Sequence, residues 1–123
     1  MVALTDLTLT GLWHDADLER VQFVWDADGE VTGMYSTVLN PEEDIGSLAA
    51  FGLTSRQVTI YFRNVGDVQT ILHSNYSAMP TIDDWAVNTS STNGIQQHTI
   101  TTVSGCRFRL ECQSVWLQPS GNP

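Results

Sequence analysis

A chain of 123 residues, 41% of them apolar, is long enough for one domain with its own core and too apolar to be disordered. Five arginines, no lysine and fourteen carboxylates give a net charge of −9, which argues against nucleic acid as a direct partner, because that binding requires basic side chains on phosphates. No apolar run reaches the ~20 residues of a membrane-spanning helix, and the opening "MVALTDLTLTGLW" carries Asp6 and no basic segment, so neither a membrane span nor a secretory signal is expected.

The opening "LTDLTLTGL" reads as a strand or a loose terminus. Next comes "WHDAD", Trp13 to Asp17, which places an imidazole beside two carboxylates. "LERVQFVWDADGEVTGMYSTVL", residues 18–39, reads as a hairpin. Val21, Phe23 and Trp25 share one face, "DADG" makes the turn with Gly29 free to take positive φ, and Gly33 is expected to mark a bulge. "PEEDIGSLAAFG", residues 41–52, has room for one helical turn.

"RQVTIYFRNVGDVQTILH", residues 56–73, gives two strands around "NVGD". Val58, Ile60 and Phe62 point inward, while Thr59, Tyr61 and Arg63 point outward. "SAMPTIDDWAVNTSSTNG", residues 77–94, reads as a short helix near "IDDWAV" followed by a mobile polar loop at 90–94. "GIQQHTITTVSG", residues 94–105, is a Thr-rich strand that turns at Gly105. "CRFRLECQSVWLQP", residues 106–119, reads as a single strand. Its inner face is Cys106, Phe108, Leu110, Cys112, Ser114 and Trp116, its outer face Arg107, Arg109, Glu111 and Gln113, and Pro119 ends it. The sum is an all-β, mainly antiparallel fold. Residues 1–123 form a single-domain β-sandwich or curled sheet with one or two short helical turns.

In one strand, Cys106 and Cys112 lie about 20 Å apart, too far for the under ~7 Å between Cα atoms that a disulfide requires. Their spacing matches no zinc pattern, and two buried thiols fit a reducing cytoplasm. His73 and His98 are isolated and read as surface or satisfied core histidines. A dyad of Cys112 with His98 is conceivable across strands, but burial raises a thiol's pKa and makes it inert. No G-x-S-x-G, P-loop or G-x-G-x-x-G occurs, and Glu42-Glu43 and Asp83-Asp84, adjacent in sequence, diverge. No catalytic residue, metal ligand set or cofactor is assigned. His14, Asp15 and Asp17 have a structural reading, with Asp15 accepting backbone N–H bonds at the strand entrance, and a metal or enzymatic one.

The run "LWHDADLERVQFVWD" resembles the start of small bacterial immunity proteins of polymorphic-toxin systems, the immunity protein 50 type. The matching residues are Trp13, His14, Asp15, Ala16 and Asp17, followed by Leu18 and Val21. "VTIYFRNVGDVQ" is similar to the middle of that family and "CRFRLECQSVWLQP" to its final strand, while Pro41 to Leu53 and the loop around Asn88 match nothing in it. The resemblance implies a non-enzymatic cytoplasmic protein that sequesters a toxin.

The charge distribution fits a basic partner. Residues 1–44 hold ten carboxylates and one arginine, whereas residues 45–123 hold four of each. The expected contact residues are Asp15, Asp17, Asp26, Asp28, Glu30, Glu42, Glu43 and Asp44, with Tyr61 and Trp85 as aromatic anchors. An edge strand also leaves a homodimer open. The alternatives are a small-molecule or carbohydrate-binding β module, and a metal protein or enzyme using His14, Asp15 and Asp17.

Overall fold

The structure, a computed structural model, describes residues 1–73 and 80–119. Among the described residues nine antiparallel strands form two sheets, as the all-β reading expects. They are β1 (Val2–Ala3), β2 (Asp17–Trp25), β3 (Val31–Val38), β4 (Gln57–Arg63), β5 (Val68–Ile71), β6 (Ile82–Thr89), β7 (Gln96–Thr102), β8 (Arg107–Cys112) and β9 (Ser114–Pro119). One sheet has the order β1-β9-β4-β3-β2 and the other β5-β8-β7-β6. Tyr76 and the first residues of the 77–94 stretch lie outside the described residues.

The sheets meet through aromatic side chains. Phe62 of β4 stacks edge-on to Trp85 of β6 and His98 of β7, with ring centroids 5.9 and 4.9 Å away, and Tyr35 of β3 reaches Phe108 of β8 at 5.8 Å. Val58, Ile60, Phe62, Leu110 and Leu117 complete this layer, all buried. Each such side chain contributes about 2 kcal/mol by leaving water.

The stretch "LTDLTLTGL", residues 4–12, is neither strand nor loose end. Leu7–Trp13 forms a 3-10 helix whose N-cap, Asp6, accepts the Thr8 N–H at 3.1 Å. It lies against β6, where the Thr10 hydroxyl donates to the Trp85 carbonyl and the Trp13 ring meets Trp85 at 5.1 Å. The Trp13 indole N–H donates to the Thr37 hydroxyl, which passes its own hydrogen to the Val58 carbonyl. The helical turn expected at 41–52 is a 3-10 segment, Gly46–Phe51, closed by Gly52 at φ 71°.

The 18–39 hairpin forms with its turn at 26–30, where Asp26 Oδ1 accepts the N–H of Asp28 and Glu30 and Gly29 has φ 80°. Gly33 marks no bulge. It pairs in register with Phe23 and Phe62, and an added Cβ would sit 3.2 Å from the Phe23 ring. The bulge of this hairpin lies between Leu18 and Arg20.

Two stretches differ from expectation for reasons of register. "IDDWAV" is strand, not helix: a bulge between Ile82 and Asp84 absorbs one residue, so Ile82 and Trp85 both face the core at a helix-like spacing of three. "CRFRLECQSVWLQP" is two strands. The chain leaves the second sheet after Cys112, turns at Gln113, whose N–H donates to the Arg63 carbonyl at 2.9 Å, and joins the first sheet. The turn shifts the alternation, so Val115 and Leu117 are buried and Ser114 and Trp116 face outward. The loop at 90–94 is a hydrogen-bonded turn rather than a loose one: the Ser90 N–H donates to the Ile95 carbonyl and the Gly94 N–H to the Ser90 carbonyl.

Candidate protein-interaction surface

The Trp13–Asp17 segment is a junction. His14 caps the 3-10 helix and Asp15 follows at φ 64°, a left-handed conformation that aspartate tolerates better than most residues. The Asp15 N–H donates to the Ile82 carbonyl at 2.8 Å, and Ile82 returns a bond of 2.7 Å to the Ala16 carbonyl. These bonds clamp the entrance of β2 to β6, and Ala16 is small enough to be fully buried there. Asp15 thus acts through its own N–H. Its carboxylate accepts no backbone N–H among the described residues and lies 3.3 Å from His14 Nδ1. Asp17 accepts from the Thr81 hydroxyl at 3.3 Å, and Asp83 lies 4.0 Å from His14 Nε2. Among the described residues, no group of three His, Cys, Asp or Glu is placed to hold a metal ion.

His98 is a core histidine. The Trp85 indole N–H, which can only donate, points at its Nδ1 at 2.9 Å. The proton therefore sits on Nε2, which donates to Gln96 Oε1 at 2.8 Å. Burial holds the imidazole neutral and lowers its pKa to about 4. Both ring nitrogens are occupied, so no dyad with Cys112 forms. Burial also pushes the Cys112 thiol up to about 12. Cys106 differs: a hydrogen bond from the His73 backbone holds its thiol below the usual value. Both cysteines are free.

The expected contact residues do not form one face. Asp26, Asp28 and Glu30 crowd the tip of the β2–β3 hairpin, all exposed. Asp15 and Asp17 lie at the opposite end of β2, about 30 Å away at ~3.3 Å per residue, and Glu42, Glu43 and Asp44 follow β3 at that same end. The second group has a cation nearby: the Arg56 guanidinium donates to the carbonyls of Asn40 and Glu43. At the tip, Asp26 and Glu30 line a concavity of about 420 Å³ with Thr32, Arg63 and Asn64. Arg63 turns away to stack over the Trp116 ring, its Cζ 4.9 Å from the centroid. Among the described residues no arginine comes within 4.0 Å of a carboxylate.

The aromatic anchors change. Trp85 is buried in the core at 4% exposure, so it cannot anchor a partner. Tyr61 is half-buried on the outer face of the first sheet, between Met34 and Trp116 in register. Among the described residues the exposed aromatic is Trp25, 71% accessible beside Asp26. Two-residue alternation placed it with the inward Val21 and Phe23. It is exposed because β2 ends there, and the one available signal was its position directly before the turn.

No helix among the described residues is long and apolar enough to cross a membrane. Searches of protein-family models, of curated proteins and of solved structures find no match for this chain.

Proposed function

We propose that this is a non-enzymatic, cytoplasmic binding protein that sequesters a basic protein partner through the acidic tip of its β2–β3 hairpin, in the manner of the toxin-neutralising immunity proteins its opening resembles. One observation carries the reading: Trp25, 71% exposed, directly precedes a turn with three exposed carboxylates, and among the described residues no arginine comes within 4.0 Å of them. An exposed aromatic beside a cluster of carboxylates supplies anchoring area together with steering of an oppositely charged partner. The free, buried cysteines fit a reducing compartment. The test is co-purification with the product of the adjacent gene, with and without Trp25→Ala. The reading expects a complex that the substitution weakens about tenfold or more, a loss of about 1.4 kcal/mol. Absence of a complex, or indifference to the substitution, contradicts it.

A second reading rests on the row Met34, Tyr61 and Trp116 across β3, β4 and β9, flanked by Arg63, Ser36 and Gln118. A partly exposed aromatic row with polar neighbours suits a sugar or other small ligand. Thermal stabilisation by a member of a saccharide panel favours it, and a flat response across the panel removes it.

A further inference from the structure

The outer face of the second sheet carries a polar hollow beside the turns at 64–67 and 90–94. Asn88 of β6, Gln97 of β7 and Glu111 of β8 stand side by side in register, and the next row pairs Arg109 of β8 with Gln69 of β5. Their neighbours His98 and Leu110 are buried in the core, so alternation turns these side chains outward. The two turns form the walls. The Gly94 N–H donates to the Ser90 carbonyl at 3.0 Å, and the Gly66 N–H donates to the Glu111 carbonyl at 2.9 Å. Between them lie two adjoining concavities. The lining of one, about 380 Å³, includes Asn88, Ser90, Asn93, Gln97 and Glu111. That of the other, about 200 Å³, includes Asp67, Gln69, Gln97, Arg109 and Glu111. All of these are described residues. The residues that bound the stretches 74–79 and 120–123 stand at the other end of the sheets: His73 beside Gly105, Pro80 bonded to Leu18, and Pro119 opposite Val58.

We propose that this hollow binds the head group of a free amino acid, its carboxylate on Arg109 and its ammonium on Glu111. The two residues share one face of β8, their Cα atoms about 7 Å apart at ~3.3 Å per residue. Among the described residues neither comes within 4.0 Å of an opposite charge, so the pair is open to a ligand that carries both signs. An arginine fork takes a carboxylate through two parallel bonds, and a carboxylate takes an ammonium through a charge-assisted one. Asp67 lines the same concavity and adds a second acceptor for the ammonium. The Gln69 amide lies beside Arg109 and the Gln97 amide beside Glu111, and each offers a donor and an acceptor. Other amides nearby are already engaged: Asn93 Oδ1 accepts the Ile95 N–H at 3.0 Å, and Gln96 Oε1 takes the His98 proton, whereas Asn88 and Gln97 have no such bond among the described residues. Both face the larger concavity, which suits a polar side chain on the ligand. An apolar one would cover these groups without bonding them, at a cost. The site shares no residue with the acidic tip and does not depend on it.

The experiment titrates the whole isotope-labelled protein with L-glutamine, L-serine and L-arginine and follows the backbone amide signals. For L-glutamine, two blocked forms are run beside it: N-acetyl-L-glutamine, which lacks the ammonium, and L-glutaminamide, which lacks the carboxylate. The expected result is saturable shifts at Gln97, Arg109 and Glu111 with at least one of the free amino acids. For glutamine, each blocked form should bind at least about tenfold more weakly. Glu111→Gln should erase the preference over the N-acetyl form, and Arg109→Gln the preference over the amide. Both substitutions fall on the outer face, and the comparison of free with blocked ligand on the wild-type protein stands without them. Binding of none of the three amino acids, or shifts confined to other strands, overturns the proposal. So does equal binding of free and blocked glutamine. Loss of binding on acetylation with the amide unaffected shows a site for cations alone, and it too overturns the zwitterion.

Discussion

At the scale of single residues, two polar side chains of the core, His98 and Tyr35, stand in opposite circumstances. His98 is fully engaged, and protonation would set a second N–H against the Trp85 indole donor. Its pKa is lowered to about 4, against an ordinary value of 6.5 that applies once the chain unfolds. Between these values the unfolded chain binds the proton and the folded one does not. The stabilising contribution is thus intact above pH 6.5 and is lost as pH falls through 6.5 toward 4, about 3 kcal/mol in all. Denaturant titrations across this range should show wild-type stability falling more steeply than that of His98→Gln. Parallel curves would contradict the assignment. Tyr35 is the converse case. Its hydroxyl is buried without a partner among the described residues, and burial raises its pKa. Because an unsatisfied buried hydroxyl costs about 1–3 kcal/mol, Tyr35→Phe should raise the melting temperature, and a lowered one would reveal a missing partner. Histidine and tyrosine look alike in a linear pattern, and nothing in "QQHTI" or "GMYST" separates the satisfied group from the orphan.

At the scale of elements, legibility followed period. Val58, Ile60 and Phe62, or Cys106 through Cys112, alternate without interruption, and the structure buries them as the pattern requires. The errors fall where one residue breaks the period. The bulge in β6 gives Ile82 and Trp85 helical spacing, and the turn at Gln113 hides inside a run that still alternates polar and apolar on paper. The opening 3-10 helix is hidden because "LTLT", residues 7–10, alternates like a strand, while the capping bond that Asp6 accepts from the Thr8 N–H is a local signal that alternation does not register. These assignments make a test by deletion. Removing Asp83 takes out the bulge residue and leaves Ile82 and Trp85 alternating inward, so the variant should fold with a loss of less than about 2 kcal/mol. Removing Thr99 from the middle of β7 turns His98 or Ile100 outward and should abolish cooperative unfolding. Equal damage from both deletions, followed by circular dichroism melts, would refute the bulge.

At the scale of the molecule, the charge asymmetry of the first 44 residues was plain in the sequence, but its partition was not. Alternation along a strand does not say which ends of a hairpin carry charge together, nor that Arg63 is drawn off by Trp116. The folded chain places carboxylates at both ends of β2, and among the described residues those at the tip beside Trp25 have no arginine within 4.0 Å. Steering by such a tip is screened by salt, with a Debye length of about 8 Å at physiological ionic strength. The most direct measurement is therefore the association rate with the neighbouring gene product from low to high salt, for the wild type and for Asp26→Lys, Asp28→Lys, Glu30→Lys combined. A rate that falls steeply with salt in the wild type, and is about tenfold slower and nearly salt-independent in the triple variant, supports an acidic tip that recruits a basic partner. Equal rates and equal salt dependence in the two proteins would place the partner elsewhere.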